Sequence, residues 1–567
     1  MAASQHKQKI LIVGGVACGP KAAARARRRD PAAEITIFER GRHISYAGCG
    51  LPYYLAGAVK IMDGLMTTAS GDLRDPEFFH AVKDVTVRTG ALVEAIAPDQ
   101  KQIRVKDLAA GQTEICPYDQ LVLATGASAV SPPIPGINLK QIFTLRRPED
   151  AEGLLKLIEA GAADKVTIVG AGRIGLEVAD AFGAQGVETT IVEMTNGVLP
   201  GMVDREVAEM VAQTLREEKV ILRLGERVRE FQGDAEGKVC KVITDQGEIA
   251  ADAVLVAIGV KPNVELAQAA GLRLGATGAI AVDEFMRTSD PHILAGGDCV
   301  ETVHLISDRK VYAPLGSTAN RQGRVIGDNL TGGREKFAGI VGTAVLRSLG
   351  LNLARTGITE AEAKALGFQP VVGIAPSVDR SHFMAGGRPI LVKVIADALS
   401  GRLLGAQVVG PGDVVRRVDV LATALHFGAT VDDVAALDLC YAPPFATAIE
   451  AVAHAANIVR NKRARLAQGL GPRQARELMA TGEAVVWLDL RNPKEIENLK
   501  FGNHGVVRIP LAELRGRSRE LPKDQEIVCV CQIGVRAYEA CRILQGQGFP
   551  RVKFLEGGVS LWSRTGA

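Results

Sequence analysis

The hydrophobic pattern of the chain changes period several times, and each change marks an element. Residues 9–15, Lys-Ile-Leu-Ile-Val-Gly-Gly, are apolar almost without a break before two glycines, the pattern of a strand covered on both faces. An Ala/Arg-rich stretch (20–30) then reads as helix, and Glu-Ile-Thr-Ile-Phe-Glu (34–39) returns to strand. The same succession of strand, glycine turn, helix and strand recurs from Lys165 to Met194. Other buried-strand runs end in glycine at Gly126, Gly259 and Gly297. Beyond 326 the strands lengthen, as in Pro-Ile-Leu-Val-Lys-Val-Ile-Ala-Asp (389–397), and a helix is expected over 414–428. From about 470 a small unit of alternating strands and helices begins. The pattern predicts an α/β protein of several domains, and 567 residues are indeed too many for one core.

The two glycine turns carry the first chemistry. Small residues between a strand and a helix let backbone N–H groups and the helix start approach a pyrophosphate. Gly14, Gly15 and Gly19 supply them in the first copy, although Val16 stands at the usual second glycine of G-x-G-x-x-G. Gly170, Gly172 and Gly175 complete the motif in the second. Each following strand ends in an acid, Glu39 or Glu193, placed to take ribose hydroxyls. No basic residue follows Glu193 directly, so NADH is favoured over NADPH. Two such units imply a flavoprotein that also binds a nicotinamide. Ala124-Thr125-Gly126 after a buried strand, Gly259 after another, and Gly297-Asp298, whose carboxylate suits a ribityl hydroxyl, are the further FAD signals. The expected order is an FAD-binding domain (1–146 and 263–325) interrupted by a nicotinamide-binding domain (147–262).

Composition narrows the field further. The chain is 47% hydrophobic and 23% charged with a formal charge of +3, which gives no reason to expect nucleic acid or a membrane surface as partner. The N-terminal apolar run is too short for a signal peptide, and no run of 18 apolar residues appears. Nine cysteines without C-x-x-C spacing argue against zinc and a disulfide framework, so no metal and a cytoplasmic location are expected.

One of those cysteines is distinctive. Cys49 in Ser-Tyr-Ala-Gly-Cys-Gly-Leu-Pro-Tyr-Tyr (45–54) has no near thiol in sequence, and Leu51-Pro52 reads as a helix entry that would favour an anionic sulfur. Cys18 in the first turn reads as packing, and Cys116, Cys240, Cys299 and Cys440 as structural. With the two dinucleotide folds, this stretch resembles the pyridine nucleotide-disulfide oxidoreductase family, in the branch of coenzyme A-disulfide reductases and NADH-dependent persulfide reductases that keep a single redox cysteine. The resemblance implies a homodimer, with residues 326–462 as an α+β dimerisation domain. Tyr441, in Tyr-Ala-Pro-Pro-Phe, matches a tyrosine that donates a proton to a departing thiolate across the interface. It also implies coenzyme A as bound ligand or substrate moiety, with Arg25, Arg28 and Ser45 as the residues that would hold it. Where coenzyme A-disulfide reductases commonly show Tyr-Tyr-Pro-Gly, this chain has Phe383-Met384-Ala385-Gly386, with His382 as a substitute proton donor.

Residues 470–567 resemble a rhodanese domain, with an Asp-x-Arg-x-Pro opening and a Gly-Gly-x-x-x-Trp ending. Its centre is the six-residue loop Cys531-Gln532-Ile533-Gly534-Val535-Arg536, where inward N–H groups and Arg536 would stabilise a thiolate or persulfide. Cys529 is expected in the core, while Cys541 is open to either reading. Joining this loop to Cys49 suggests an NADH-dependent persulfide or polysulfide reductase of sulfur metabolism. A coenzyme A-disulfide reductase, an NADH oxidase or peroxidase, and a sulfur carrier or redox sensor stay open as alternatives.

Overall fold

The computed structural model describes residues 7–502 and 505–566. The first six residues of the N-terminal run and the last residue of the C-terminal region lie outside them. Two compact units form, Met1–Met194 with Glu226–Ile340, and Thr195–Gly225 with Val341–Ala567.

In the first unit, strand Lys9–Val13 is central in a parallel sheet. Glu34–Glu39 and then Thr86–Thr89 lie on one side of it, and Gln120–Leu123 and then Ile293–Ala295 on the other. Ile10 and Ile12 are fully buried, as a strand covered on both faces requires. Helix Cys18–Arg29 turns Ala22, Ala23 and Ala26 inward. It packs on helix Gly316–Asn329 at very short range, because a Cβ on Gly323 would come within 2.5 Å of the Cys18 carbonyl oxygen and one on Gly327 within 2.7 Å of that of Ala22. The second dinucleotide fold repeats the plan, with Lys165–Val169 parallel to Glu188–Glu193 and to Ala253–Val256. Antiparallel strands Ala127–Ala129 and Val260–Pro262 connect the two folds. These are Rossmann-type sheets, as the glycine turns implied.

The second unit holds an antiparallel sheet in the order Ala344–Ser348, Leu351–Gly357, Leu403–Gly410, Pro389–Asp397, Pro370–Val378. Segment Thr195–Gly225 carries strand Ile221–Leu224, the edge of the sheet that also holds Glu188–Glu193 and Lys165–Val169. At the start of its helix Arg205–Glu217 lies a buried ion cluster: the fully buried Lys393 ammonium is 2.8 Å from Asp204 Oδ2 and contacts Glu206 and Glu360, while Gln407 donates to Asp204 at 2.7 Å. The C-terminal region is a five-stranded parallel sheet in the order Gln468–Leu470, Val552–Leu555, Glu526–Val530, Val485–Asp489, Val506–Arg508. Its short edge strand Gln468–Leu470 starts two residues ahead of the 470 expected for this region, and helix Ala451–Arg463 precedes it. Among the described residues no helix is long and apolar enough to cross a membrane, and no cluster of three or more His, Cys, Asp or Glu residues suits a metal ion.

Candidate functional site

The two glycine turns have nearly superimposable internal chemistry. Gly14 takes φ +112°, and a Cβ there would stand 2.1 Å from the Ala124 carbonyl oxygen; a Cβ on Gly19 would meet the Gly14 oxygen at 2.0 Å. Gly170 and Gly175 face the same limits against Ala257 and Gly170. Both acids bend back onto the turn. Glu39 accepts from the N–H groups of Gly15 at 2.8 Å and Gly41 at 2.7 Å, and Glu193 accepts from that of Ala171 at 3.0 Å. Gly172 differs from its companions, for a Cβ there meets no protein atom within 4 Å. That is the open approach a pyrophosphate requires.

The remaining cofactor candidates cluster around the first turn. Ala124 donates its N–H to the Val13 carbonyl, extending the central strand pair. Thr125 donates its hydroxyl to the Asn263 carbonyl at 2.7 Å, and Asn263 Nδ2 returns a bond to the Thr125 carbonyl at 2.8 Å. Gly126 and Gly259, both at positive φ, close the two connecting strands. Gly297, at φ +84°, gives its N–H to Gln322 Oε1, while Asp298 is paired with Arg146 at 2.7 Å. Asn263, Gln322 and Arg146 escaped the sequence reading because their partners lie 138, 25 and 152 residues away. Tyr312 leaves its buried hydroxyl without a hydrogen-bond partner, and burial together with the Asp298 charge raises its pKa. A glycine cradle and an orphaned buried hydroxyl fit a flavin dinucleotide.

Cys49 is exposed on the tight turn Gly48–Gly50. Its loop is tied to the first glycine turn through the N–H of Ser45, which donates to the Gly15 carbonyl at 2.8 Å with Ser45 itself at φ +50°. The helix expected after the cysteine is only Leu51–Leu55. A longer one takes its place, because a Cβ on Gly316, the first residue of helix Gly316–Asn329, would lie 3.8 Å from Cys49 Sγ. The positive end of that helix favours an anion at the sulfur. Cys18 and Cys299 are buried, and burial pushes both thiols up. Cys116 is half-buried, whereas Cys240 and Cys440, read as structural, are exposed.

The basic helix is more committed than its composition suggested. Arg25 donates from Nε and Nη2 to Asp328 at 2.9 and 2.6 Å, so its fork is already filled, and Arg27 bonds carbonyls of Pro31 and Asp84. Arg28 is exposed. A group the sequence did not single out is Glu177, two residues past Gly175, whose pKa burial pushes up to about 7.

In the second unit, the Tyr441 segment and the loop that departs from the expected Tyr-Tyr-Pro-Gly are stitched together. The Ser381 N–H donates to the Pro443 carbonyl and its hydroxyl to the Ala446 carbonyl, both at 3.1 Å. Tyr441 and Phe383 are exposed beside this junction.

Cys531 directly follows strand Glu526–Val530 and is fully buried. Gly534, at φ +97°, aims its N–H at the sulfur from 3.1 Å. The Gly-Gly ending supports the loop from behind. Val559 donates to the Cys531 carbonyl and Ser560 to that of Gln532, and a Cβ on Gly558 would collide with the Cys531 oxygen at 2.4 Å. Arg536 at the start of helix Val535–Gly546 donates to Glu495, which also caps helix Pro493–Asn498 together with Asn492. The Asp-x-Arg opening is structural, with buried Arg491 paired to buried Asp489 at 2.8 Å. Cys529 and Cys541 are buried against each other in the core, where burial raises the Cys529 thiol.

Three sequence families match in succession: "Pyridine nucleotide-disulphide oxidoreductase" over residues 8–323, its dimerisation domain over 348–453, and "Rhodanese-like domain" over 471–565. A protein of Pyrococcus horikoshii named NAD(P)H coenzyme A polysulfide/persulfide reductase is 38% identical, over 78% of this chain and 96% of its own. The solved structure of an NAD-dependent persulfide reductase from A. fulgidus is 43% identical with a TM-score of 0.93, covering 98% of this chain and 100% of that one. The reduced Bacillus anthracis CoADR-RHD is 34% identical with a TM-score of 0.92, covering 99% of each.

Proposed function

Because the chain belongs to the pyridine nucleotide-disulphide oxidoreductase family as a flavin-dependent NAD(P)H oxidoreductase, we propose that it reduces persulfides or polysulfides with NADH, through Cys49 and with sulfur handled by Cys531. The observation that carries this reading is an exposed lone cysteine held against the first dinucleotide fold in a chain that also presents Cys531 beneath a thiolate-stabilising loop. The names of the Pyrococcus horikoshii and A. fulgidus relatives support it.

The thiolate of Cys49 attacks one sulfur of R–S–SH. A new S–S bond to Cys49 forms as the old one breaks, and either the thiol R–SH or hydrogen sulfide leaves. When bound, FAD and the nicotinamide supply the two electrons that cleave the new bond and restore the Cys49 thiolate. The residues that would hold FAD are Gly14, Gly15, Gly19, Glu39, Ala124, Thr125, Gly126, Gly297 and Asp298; Gly170, Gly172, Gly175, Glu193 and Gly259 would hold the nicotinamide cofactor. Glu193 at the ribose favours NADH. Arg28 and Ser45 are the more available candidates for a coenzyme A moiety, with Arg25 engaged to Asp328.

The matched dimerisation domain supports a homodimer, in which Tyr441 of one copy would protonate the thiolate leaving Cys49 of the other. Exposed Phe445 (67%) and Ile449 (55%), just beyond Tyr441, are apolar area that a second copy would cover. A cytoplasmic location accords with unpaired thiols.

The test is NADH consumption by wild type, Cys49→Ser and Cys531→Ser with coenzyme A persulfide, coenzyme A disulfide, polysulfide and oxygen. All thiol-linked turnover should vanish in Cys49→Ser, and turnover of persulfide or polysulfide should drop selectively in Cys531→Ser. Persulfide turnover undiminished in Cys49→Ser would sink the mechanism.

A further inference from the structure

The rhodanese region meets the dimerisation domain at a buried ion pair. The side chain of Lys462, in the last turn of helix Ala451–Arg463, is 14% exposed, and that of Glu556, just after strand Val552–Leu555, only 4%. The Lys462 ammonium contacts Glu556 Oε1 and also donates to the Val372 carbonyl at 2.7 Å, on strand Pro370–Val378 of the dimerisation sheet. Gly469 in the edge strand clears the way, since a Cβ there would collide with the Glu556 carboxylate. The connecting residues 464–467 have little slack. The N–H groups of Ala464, Arg465 and Leu466 bond back to the carbonyls of Arg460, Lys462 and Asn461, and Arg542 on helix Val535–Gly546 donates to the Leu466 carbonyl at 2.7 Å.

Glu556 also leads into the support of the Cys531 loop. Its N–H donates to the Leu470 carbonyl at 2.9 Å, and the next two residues, Gly557 and Gly558, take φ +70° and +60°. From there the N–H groups of Val559 and Ser560 reach the Cys531 and Gln532 carbonyls at 2.9 and 3.0 Å. Lys462 therefore bears on the loop through one carboxylate and one glycine turn. Desolvation offsets much of the attraction in such a pair, so its weight is positional: neither charge can leave the other without first reaching water.

We propose that Lys462 and Glu556 are positioning residues that fix the Cys531 loop on the dimerisation domain, and that Cys531-dependent turnover of sulfane sulfur requires that fixed place. The inference rests on the two-cysteine reading of the chain and names what holds the second cysteine in register. The same domain carries Tyr441, so a loop fixed to it is fixed relative to the residue read as proton donor. With one charge of the pair removed, the other is left buried alone, and its cheapest relief is for the two surfaces to part until it meets water. A domain freed in this way explores a volume set by its connecting residues, and the effective concentration of Cys531 at its target falls.

The experiment compares the full flavin-loaded chain as wild type, Glu556→Gln, Lys462→Met and Cys531→Ser. Tryptic cleavage after Arg463 or Arg465, followed by release of the C-terminal fragment, should run about tenfold faster in Glu556→Gln and Lys462→Met. NADH turnover with coenzyme A persulfide should fall about tenfold in both, toward that of Cys531→Ser, while turnover of coenzyme A disulfide stays at the wild-type rate. Damage to the loop itself is separated by adding each substitution to Cys49→Ser without NADH. There glutathione persulfide should add one sulfur atom to Cys531, read by intact mass, as fast as in Cys49→Ser alone; slower loading overturns the positioning role. Lys462→Met alters no residue of the rhodanese domain and decides the matter if Glu556→Gln does not fold. Unchanged cleavage, or unchanged persulfide turnover beside a slowed Cys531→Ser, overturns the proposal alone. Full persulfide turnover in Cys531→Ser overturns it together with the reading of Cys531, whereas the Cys49 reading is judged by Cys49→Ser.

Discussion

Glu193 accepts the backbone N–H of Ala171 at 3.0 Å, and so holds a carboxylate across the second glycine turn. A carboxylate fixed there receives two ribose hydroxyls and repels a 2′-phosphate. Replacing it by serine removes the repulsion without adding bulk. Glu193→Ser should raise the NADPH-to-NADH ratio of kcat/KM by about tenfold or more, mostly through a lower KM for NADPH. An unchanged ratio in steady-state kinetics would place the ribose elsewhere.

Gly14 and Gly172 separate folding from binding. Alanine at Gly14 brings a Cβ within 2.1 Å of the Ala124 oxygen at φ +112°, so Gly14→Ala should lose stability and purify with substoichiometric flavin by absorbance. Alanine at Gly172 meets no protein atom within 4 Å. If Gly172 borders the pyrophosphate as proposed, Gly172→Ala should melt like wild type while its KM for NADH rises about tenfold, because the methyl group would take space the pyrophosphate needs.

This contrast also explains what could be read in advance. The strands, both glycine turns and the Cys531 loop were legible because apolar period and glycine spacing are local signals. Partners far apart in the chain were not. Nothing near Gly316 marks its helix as the one that begins beside Cys49, and nothing in Ser381 foretells its bonds to Pro443 and Ala446. The buried ion cluster at the start of helix Arg205–Glu217 was hidden for the same reason, since it joins a lysine at 393 to acids at 204 and 206. The edge strand Gln468–Leu470 is three residues long and contains a glycine, too short for any period to show.

That buried lysine is a strong stability lever. Lys393→Met would leave Asp204, Glu206 and Glu360 facing one another without their shared cation. Breaking a buried ion pair from one side costs about 3–5 kcal/mol, and a drop of that size in denaturant titration is expected for the second unit's transition. Burial pushes the Glu360 carboxyl up, but its bond from Lys364 and the Lys393 charge outweigh that and hold it below the ordinary range. A depressed carboxylate stabilises above its unfolded pKa of about 4.3 and loses that contribution as pH falls through the folded value. The wild-type transition should accordingly weaken below about pH 4, with a shallower acid slope in Lys393→Met.

Glu177 gives the opposite pH signature. Burial pushes its pKa up to about 7, with Arg173 opposing the rise and Asp180 adding to it. The helix that bears it, Arg173–Ala184, packs against Leu51–Leu55, and Gln185 at its end donates to the Leu55 carbonyl at 3.0 Å. A carboxyl raised above its unfolded value of about 4.3 favours the folded state while both states are protonated, and that contribution is lost progressively as pH rises from about 4.3 to about 7. Glu177→Gln keeps the neutral shape at every pH. Its melting temperature should match wild type near pH 4 and exceed it by a few degrees at pH 8.5, and a carboxyl infrared band titrating near pH 7 should disappear in the variant. A band that titrates near 4 in the folded wild type, or a melting difference independent of pH, would show that Glu177 reaches water more freely than its packing implies.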